Sequence, residues 1–107
     1  MMKKYKFTDE VKIVAGVTLR RIRALTNFGD VEKGDLGGWI ETEENLTQDG
    51  DAWVYGDAWV TGNAEVSGDA RVSGNALVYG DARVSGNARV YGDAWVTGNA
   101  RVYGNVS

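Results

Sequence analysis

A chain of 107 residues with a net charge of −3 and a pI near 4.8 is one domain's worth of protein and too acidic for a general nucleic-acid binder. It has no cysteine, so nothing in it calls for an oxidising compartment, and no apolar run after the N-terminal lysines is long enough for a leader core or a membrane span; the expected location is the cytoplasm. It has no histidine either, which removes the side chain that titrates nearest neutrality and the commonest zinc ligand, so no catalytic residue, metal ligand or cofactor is expected.

Residues 1–33 are not repetitive, and residues 1–25 form the basic end of the chain, with Lys3, Lys4, Lys6, Lys12, Arg20, Arg21 and Arg23 against Asp9 and Glu10. The stretch VKIVAGVTLRRIRAL reads as two strands around Ala15-Gly16, placing Thr18, Arg20, Ile22 and Ala24 on one side and Leu19, Arg21, Arg23 and Leu25 on the other. Thr26 to Asp30 reads as a turn. This segment is expected to cap the rest of the chain, because a stack of coils must satisfy its first edge and hide the end of its core.

Residues 34–107 form the second unit. Counting back in sixes from Ala52 through GDLGGWIETEENLTQD puts Ile40 and Leu46 at the Ala position, and Thr42 and Gln48 at the Val position, of a degenerate first coil. From Gly50 to Tyr103 nine units run without a gap, each Gly-[Asp/Asn]-Ala-x-Val-[Tyr/Ser/Thr]. Alternation along an extended Ala-x-Val-y segment sends Ala and Val to one face and x and y to the other. Gly and Asp/Asn are expected at the corners because both tolerate positive φ.

This repeat resembles the hexapeptide-repeat, left-handed β-helix family. The resemblance implies an all-β fold: a left-handed parallel β-helix, a triangular solenoid of 18 residues per coil and about four coils, here with a small N-terminal β cap. Residues 25–58 are also similar to the start of uncharacterised hexapeptide-repeat proteins of enteric bacteria, often labelled transferases, of which short versions occur in phages and prophages. Acyltransferases of this fold use a histidine base and a loop that interrupts the hexads; this chain has neither. Zinc-dependent carbonic anhydrases of this fold also ligate through histidine.

With an 18-residue coil the outward positions fall on three faces. Trp53, Arg71 and Arg89 share one with Tyr55 and Tyr91, and Trp59, Leu77 and Trp95 share the second with Tyr79. Glu65, Arg83 and Arg101 share the third with Tyr103. The corner residues stack with Asp above Asn nearly everywhere, which keeps like charges apart. A file of three large apolar side chains on a surface marks a binding face. The expected function is therefore a non-catalytic interaction protein, with Trp59, Leu77, Trp95, Tyr79, Trp53, Arg71 and Arg89 as partner-binding residues. A protein partner or a second copy is expected. Self-association runs either side by side through the apolar face or end to end through Tyr103, Asn105 and Val106 of an uncapped last coil. The phage resemblance points to a host macromolecule such as a defence enzyme. A polymer-forming element is the alternative, followed by a nucleic-acid mimic or an acyltransferase. Nucleic acid and membrane are not expected as partners.

Overall fold

The computed structural model describes residues 3–103 and is all-β apart from one 3₁₀ turn, Glu43–Asn45. The first three strands are β1 (Tyr5–Val14), β2 (Val17–Ala24) and β3 (Leu36–Ile40). Nine two-residue strands come next at six-residue intervals: β4 (Trp53–Val54), β5 (Trp59–Val60), β6 (Glu65–Val66), β7 (Arg71–Val72), β8 (Leu77–Val78), β9 (Arg83–Val84), β10 (Arg89–Val90), β11 (Trp95–Val96) and β12 (Arg101–Val102). They distribute over three parallel sheets, β4-β7-β10, β5-β8-β11 and β6-β9-β12, with partners 18 residues apart such as Trp53 and Arg71 or Leu77 and Trp95. Three sides and a step of 18 make a β-solenoid.

Its interior is uniform. Ala52 through Ala88 and Val54 through Val84, at their six-residue positions, lie buried in one column. Each coil hangs on the next by backbone bonds along its sides, as from the Trp53 N–H to the Ala70 carbonyl at 3.0 Å, and at its corners, as from the Asp57 N–H to the Gly74 carbonyl at 2.9 Å.

The corners depart from the sequence expectation in one respect. Only glycine takes positive φ there, between 63° and 72° from Gly50 to Gly98; the one non-glycine residue with positive φ among those described is Ala15, in the β1–β2 turn. At seven corners, those ending at Ala58, Ala64, Ala70, Ala76, Ala88, Ala94 and Ala100, the Ala N–H donates to the carbonyl three residues back, as from Ala76 to Ser73 at 3.2 Å, in a turn with glycine as first central residue. Asp and Asn keep ordinary φ and are used for their side chains: Asn63 Nδ2 donates to Asp81 Oδ1 at 3.1 Å, and Asn75 to Asp93 at 3.4 Å, one coil apart.

The first coil is longer than the rest. Trp39 and Ile40 pair with Trp59 and Val60, and Leu46 bridges Val66, all 20 residues on. Ile40 and Leu46 therefore fill the Val position of the column, and Gly38 the Ala position, which corrects the phase counted back from Ala52. Thr47 bonds to the Val66 carbonyl as Ser67 bonds to that of Val84, while Gly50 already lies against Gly68. The extra residues are thus Gln48 and Asp49.

These two receive the cap. The Gln48 side-chain carbonyl accepts from the N–H groups of Lys4 and Tyr5, the Lys4 ammonium donates to the carbonyls of Asp49, Gly50 and Ala52, and the Tyr5 hydroxyl donates to the Leu46 carbonyl. Strand β1 pairs antiparallel with β2, and β2 with β3, so the hairpin extends the β5-β8-β11 sheet to six strands in the order β1-β2-β3-β5-β8-β11. Tyr5, Ile22, Ala24 and Val31 close the top of the column.

Gly74 and Gly92 separate the two demands on a corner glycine, since both have φ near 65° but a Cβ at Gly74 would lie 2.9 Å from the Gly92 nitrogen whereas one at Gly92 would meet nothing within 4 Å. Gly92→Ala is expected to cost about 1–2 kcal/mol for the left-handed backbone alone, and Gly74→Ala clearly more. Equal losses in urea denaturation would show that coil-to-coil crowding plays no part.

Candidate functional site

The residues singled out from sequence have three different fates. Trp53 is not on the surface: it is 2% exposed, edge-on to Phe28 at 5.2 Å and to Tyr5 at 6.3 Å between ring centroids. The cap sits on it, so it anchors the cap and leaves the set of partner-binding residues. Arg71, beneath it, is half-buried and ion-paired with Asp30 of the 28–31 turn, and its guanidinium holds the Asp30 carboxyl below the usual carboxylate range by hydrogen bond and charge. Of that face only Arg89, Tyr55 and Tyr91 remain exposed. On the third face Arg83 reaches Glu65 at 3.3 Å, an exposed pair of little energetic weight. Tyr103 is exposed, and Asn105 and Val106 lie outside the described residues.

The apolar file is present and longer than expected. Trp39, Trp59, Leu77 and Trp95 stack in register on consecutive coils of the six-stranded sheet. Its exposure is graded: Trp39 is 8% exposed, Trp59 and Leu77 are half-buried, and Trp95 is 67% exposed. The fully exposed stripe expected from the repeat is thus corrected, and the hairpin is the reason. Beyond Arg20, which pairs with Ile40, β2 runs past the end of β3, and with β1 it overhangs the outer surface of the sheet. The pairs Lys12–Leu19 and Val14–Val17 lie on the hairpin face turned to the file. Leu19 is fully buried there.

Between this overhang and the file lies a groove of about 270 Å³. Val14, Val17 and Leu19 form one wall, and Trp59, Leu77, Tyr79 and Trp95 the other; Thr61 and Tyr79 bring the side-chain hydroxyls. At its upper end the Lys12 ammonium rests on the rings of Trp39 and Trp59, at 4.4 and 5.7 Å from their centroids, and the Arg21 guanidinium lies 5.8 Å from Trp39. Arg21 is committed, to Glu10 at 3.3 Å and to the Gly37 carbonyl at 3.1 Å.

Sequence reasoning missed Trp39 because of the two-residue slip in phase, although the run Gly-Trp-Ile matches the Ala-Trp-Val of the later Trp units. It missed Lys12, Val14, Val17 and Leu19 because the hairpin was expected only at the end of the column. Asn45 was also missed: its carbonyl accepts from Glu41 and Thr42, and its amide donates to the carbonyls of Gly62 and Ala64, so it holds the 3₁₀ turn against the next coil. Among the described residues no three acidic side chains converge as a metal site would require, and no helix is long and apolar enough to cross a membrane.

A column of six-residue units with three parallel sheets at an 18-residue step defines a β-solenoid, and this chain has that fold. The family described as YdcK beta solenoid repeat matches it at residues 64–80, 70–85 and 82–98. The chain is also similar to a protein of Escherichia coli (strain K12) named "Uncharacterized acetyltransferase YdcK", 37% identical over 62 residues. That match takes in 50% of this chain and 19% of the relative, so the chain spans about a fifth of the relative's length.

Two substitutions separate the roles of like residues. Trp53→Ala should cost about 3–5 kcal/mol, as for a buried aromatic, whereas Trp95→Ala should stay within about 1 kcal/mol; similar losses in thermal or urea unfolding would contradict the burial described. Lys4 gives a pH signature. Burial pushes its ammonium down to about 8, with Arg71 adding to the shift and Asp51, Asp49 and Asp69 opposing it. Between pH 8 and the ordinary lysine value of 10.5 the unfolded chain holds a proton that the folded chain has shed, so stability rises with pH in that window and is flat below it. Tyr5, whose hydroxyl burial pushes up, works the other way only above its unfolded value of 10.0. Stability of the wild type is therefore expected to rise from pH 8 to 10 against a Lys4→Met control; parallel profiles would show that Lys4 does not titrate there.

Proposed function

We propose that this chain is a non-catalytic binding module whose working surface is the Trp59–Leu77–Trp95 file with Tyr79, and that it takes a protein partner, a second copy included. The observation that carries the reading is the exposure of Trp95, 67% on a file otherwise drawn under the hairpin, at the mouth of an apolar groove. A large aromatic held in solvent beside an apolar recess is a costly arrangement for a surface without a binding role and the usual composition of an interface anchor. The relative's name assigns acetyl transfer to that protein. Against carrying it over stand the absence of histidine from this sequence and an unbroken run of hexads across the matched repeats.

Residues 25–58 resemble the start of hexapeptide-repeat proteins of enteric bacteria of which short versions occur in phages and prophages, and that resemblance is what supports a host macromolecule, a defence enzyme among the candidates, as the partner, and with it a cytoplasmic setting. Arg89 and Tyr91, exposed on the neighbouring face, extend the surface that such a partner could cover.

Trp95→Arg is the direct test, because it changes the exposed end of the file without touching the seat of the hairpin, as Trp59→Arg would. The variant should keep the wild-type circular dichroism spectrum and lose association at least about tenfold, the loss of one interface anchor. Association is read as mass by light scattering at tens of micromolar for copies of the chain, and as retention of a purified captured protein for a foreign partner. Unchanged association would sink the reading, and mass that grows without limit with concentration would favour the polymer-forming alternative.

A further inference from the structure

The groove between the hairpin tip and the Trp59–Leu77–Trp95 file has a size and a charge pattern that restrict what can fill it. At about 270 Å³ it stands at the lower limit of the roughly 300–1,000 Å³ of ligand clefts, enough for one large side chain, and its open mouth at Trp95 suits a side chain delivered on a larger body. Charge around it is arranged by position. The corners bordering the file carry Asp57, Asp81 and Asp93, which would repel an acidic group approaching from either side. At the upper end stands Lys12, its stem half-buried and its ammonium fixed over the rings of Trp39 and Trp59. Among the described residues no carboxylate lies within ion-pair distance of that ammonium, whereas Arg21 beside it is already joined to Glu10. A cation held on an aromatic floor is an anion receptor whose ordering cost is already met, and a carboxylate reaching it would gain a charge-assisted hydrogen bond.

We propose that the protein partner buries one large apolar side chain in this groove and sets an acidic side chain on Lys12. The proposal rests on the protein-binding reading of the file and specifies the chemistry of what binds there. The charge pattern then fixes polarity as well as position: the partner lies with its acidic residue toward the N-terminal coil and its apolar anchor toward Trp95.

The two elements can be probed with small stand-ins that differ in charge alone: 4-phenylbutyrate, the neutral 4-phenylbutyramide and the cationic 4-phenylbutylamine. Each is titrated into the full chain while the indole N–H resonances of Trp59 and Trp95 are followed. The carboxylate should bind about fivefold tighter than the amide, the scale of one partly exposed charge pair, and the amine more weakly than either. Lys12→Gln should bring carboxylate and amide together with the amide unchanged, and Leu77→Gln, which removes apolar contact without adding charge and is checked for folding by its melting curve, should weaken all three. Equal binding of the three probes, or a carboxylate preference that survives Lys12→Gln, overturns the proposal. If Trp95→Arg abolishes association and the probes show no charge preference, the binding face stands and this assignment falls. If the preference is present and lost in Lys12→Gln while Trp95→Arg leaves association intact, the groove is a site for small acids and the partner assignment is overturned.

Discussion

Everything in this molecule depends on two backbones coming into contact at the corners of adjacent coils. A parallel ladder fixes the coil spacing at about 4.8 Å, and at that spacing a side chain on Gly50, Gly68 or Gly74 would run into the glycine 18 residues on, as close as 2.5 Å to the Gly68 carbonyl oxygen. The corner must therefore lack a Cβ and must turn with positive φ, and glycine alone meets both demands cheaply. Given that corner, four extended residues remain per unit. Their alternation sends Ala and Val inward, so from Ala52 onward the interior of the narrow three-sided column repeats from level to level, and only the first coil departs from it, with Ile40 and Leu46 at the Val position.

Uniformity inside moves all individuality outside, and there the decisive element is the part of the chain that does not repeat. Trp53 and Trp95 occupy the same place in the hexad, yet one is packed between Phe28 and Tyr5 and the other stands in solvent. The hairpin makes the difference. One of its faces closes the top of the column through Tyr5, Ile22 and Ala24, while the other, with Lys12, Val14, Val17 and Leu19, overhangs a side wall. A bulge between Phe7 and Val11 lets one strand serve both surfaces by shifting its register. The binding groove is consequently a joint product of repeat and cap.

Where the period is strict, the sequence was legible to the level of individual side chains: which residues point inward, which stack 18 apart, and that Trp59, Leu77 and Trp95 share a file. Legibility stopped where the period did. Counting in sixes through residues 34–49 missed the insertion of Gln48 and Asp49, and with it the placing of Trp39, Ile40 and Leu46. Nor can a hexad say which of its outward residues a distant hairpin will cover, because the burial of Trp53, Trp59 and Arg71 is decided by contacts with residues 5–31 that no local pattern encodes. The corner Asp and Asn were correctly placed and given the wrong reason: their φ is ordinary, and their use is the hydrogen bond from amide to carboxylate across coils.

The inserted pair Gln48–Asp49 has a consequence for how the chain finds its own structure. A column of identical hexads has translational degeneracy: slipped by one coil, it presents the same glycines, alanines and valines, and a cap that recognised only those would have several equivalent seats. Gln48 and the carbonyl cluster around Asp49 occur once, and Lys4 and Tyr5 are matched to them by hydrogen bonds that no other coil can supply. The irregular coil thus acts as an origin for the numbering of the stack, removing alternative registers that the repeat itself cannot distinguish.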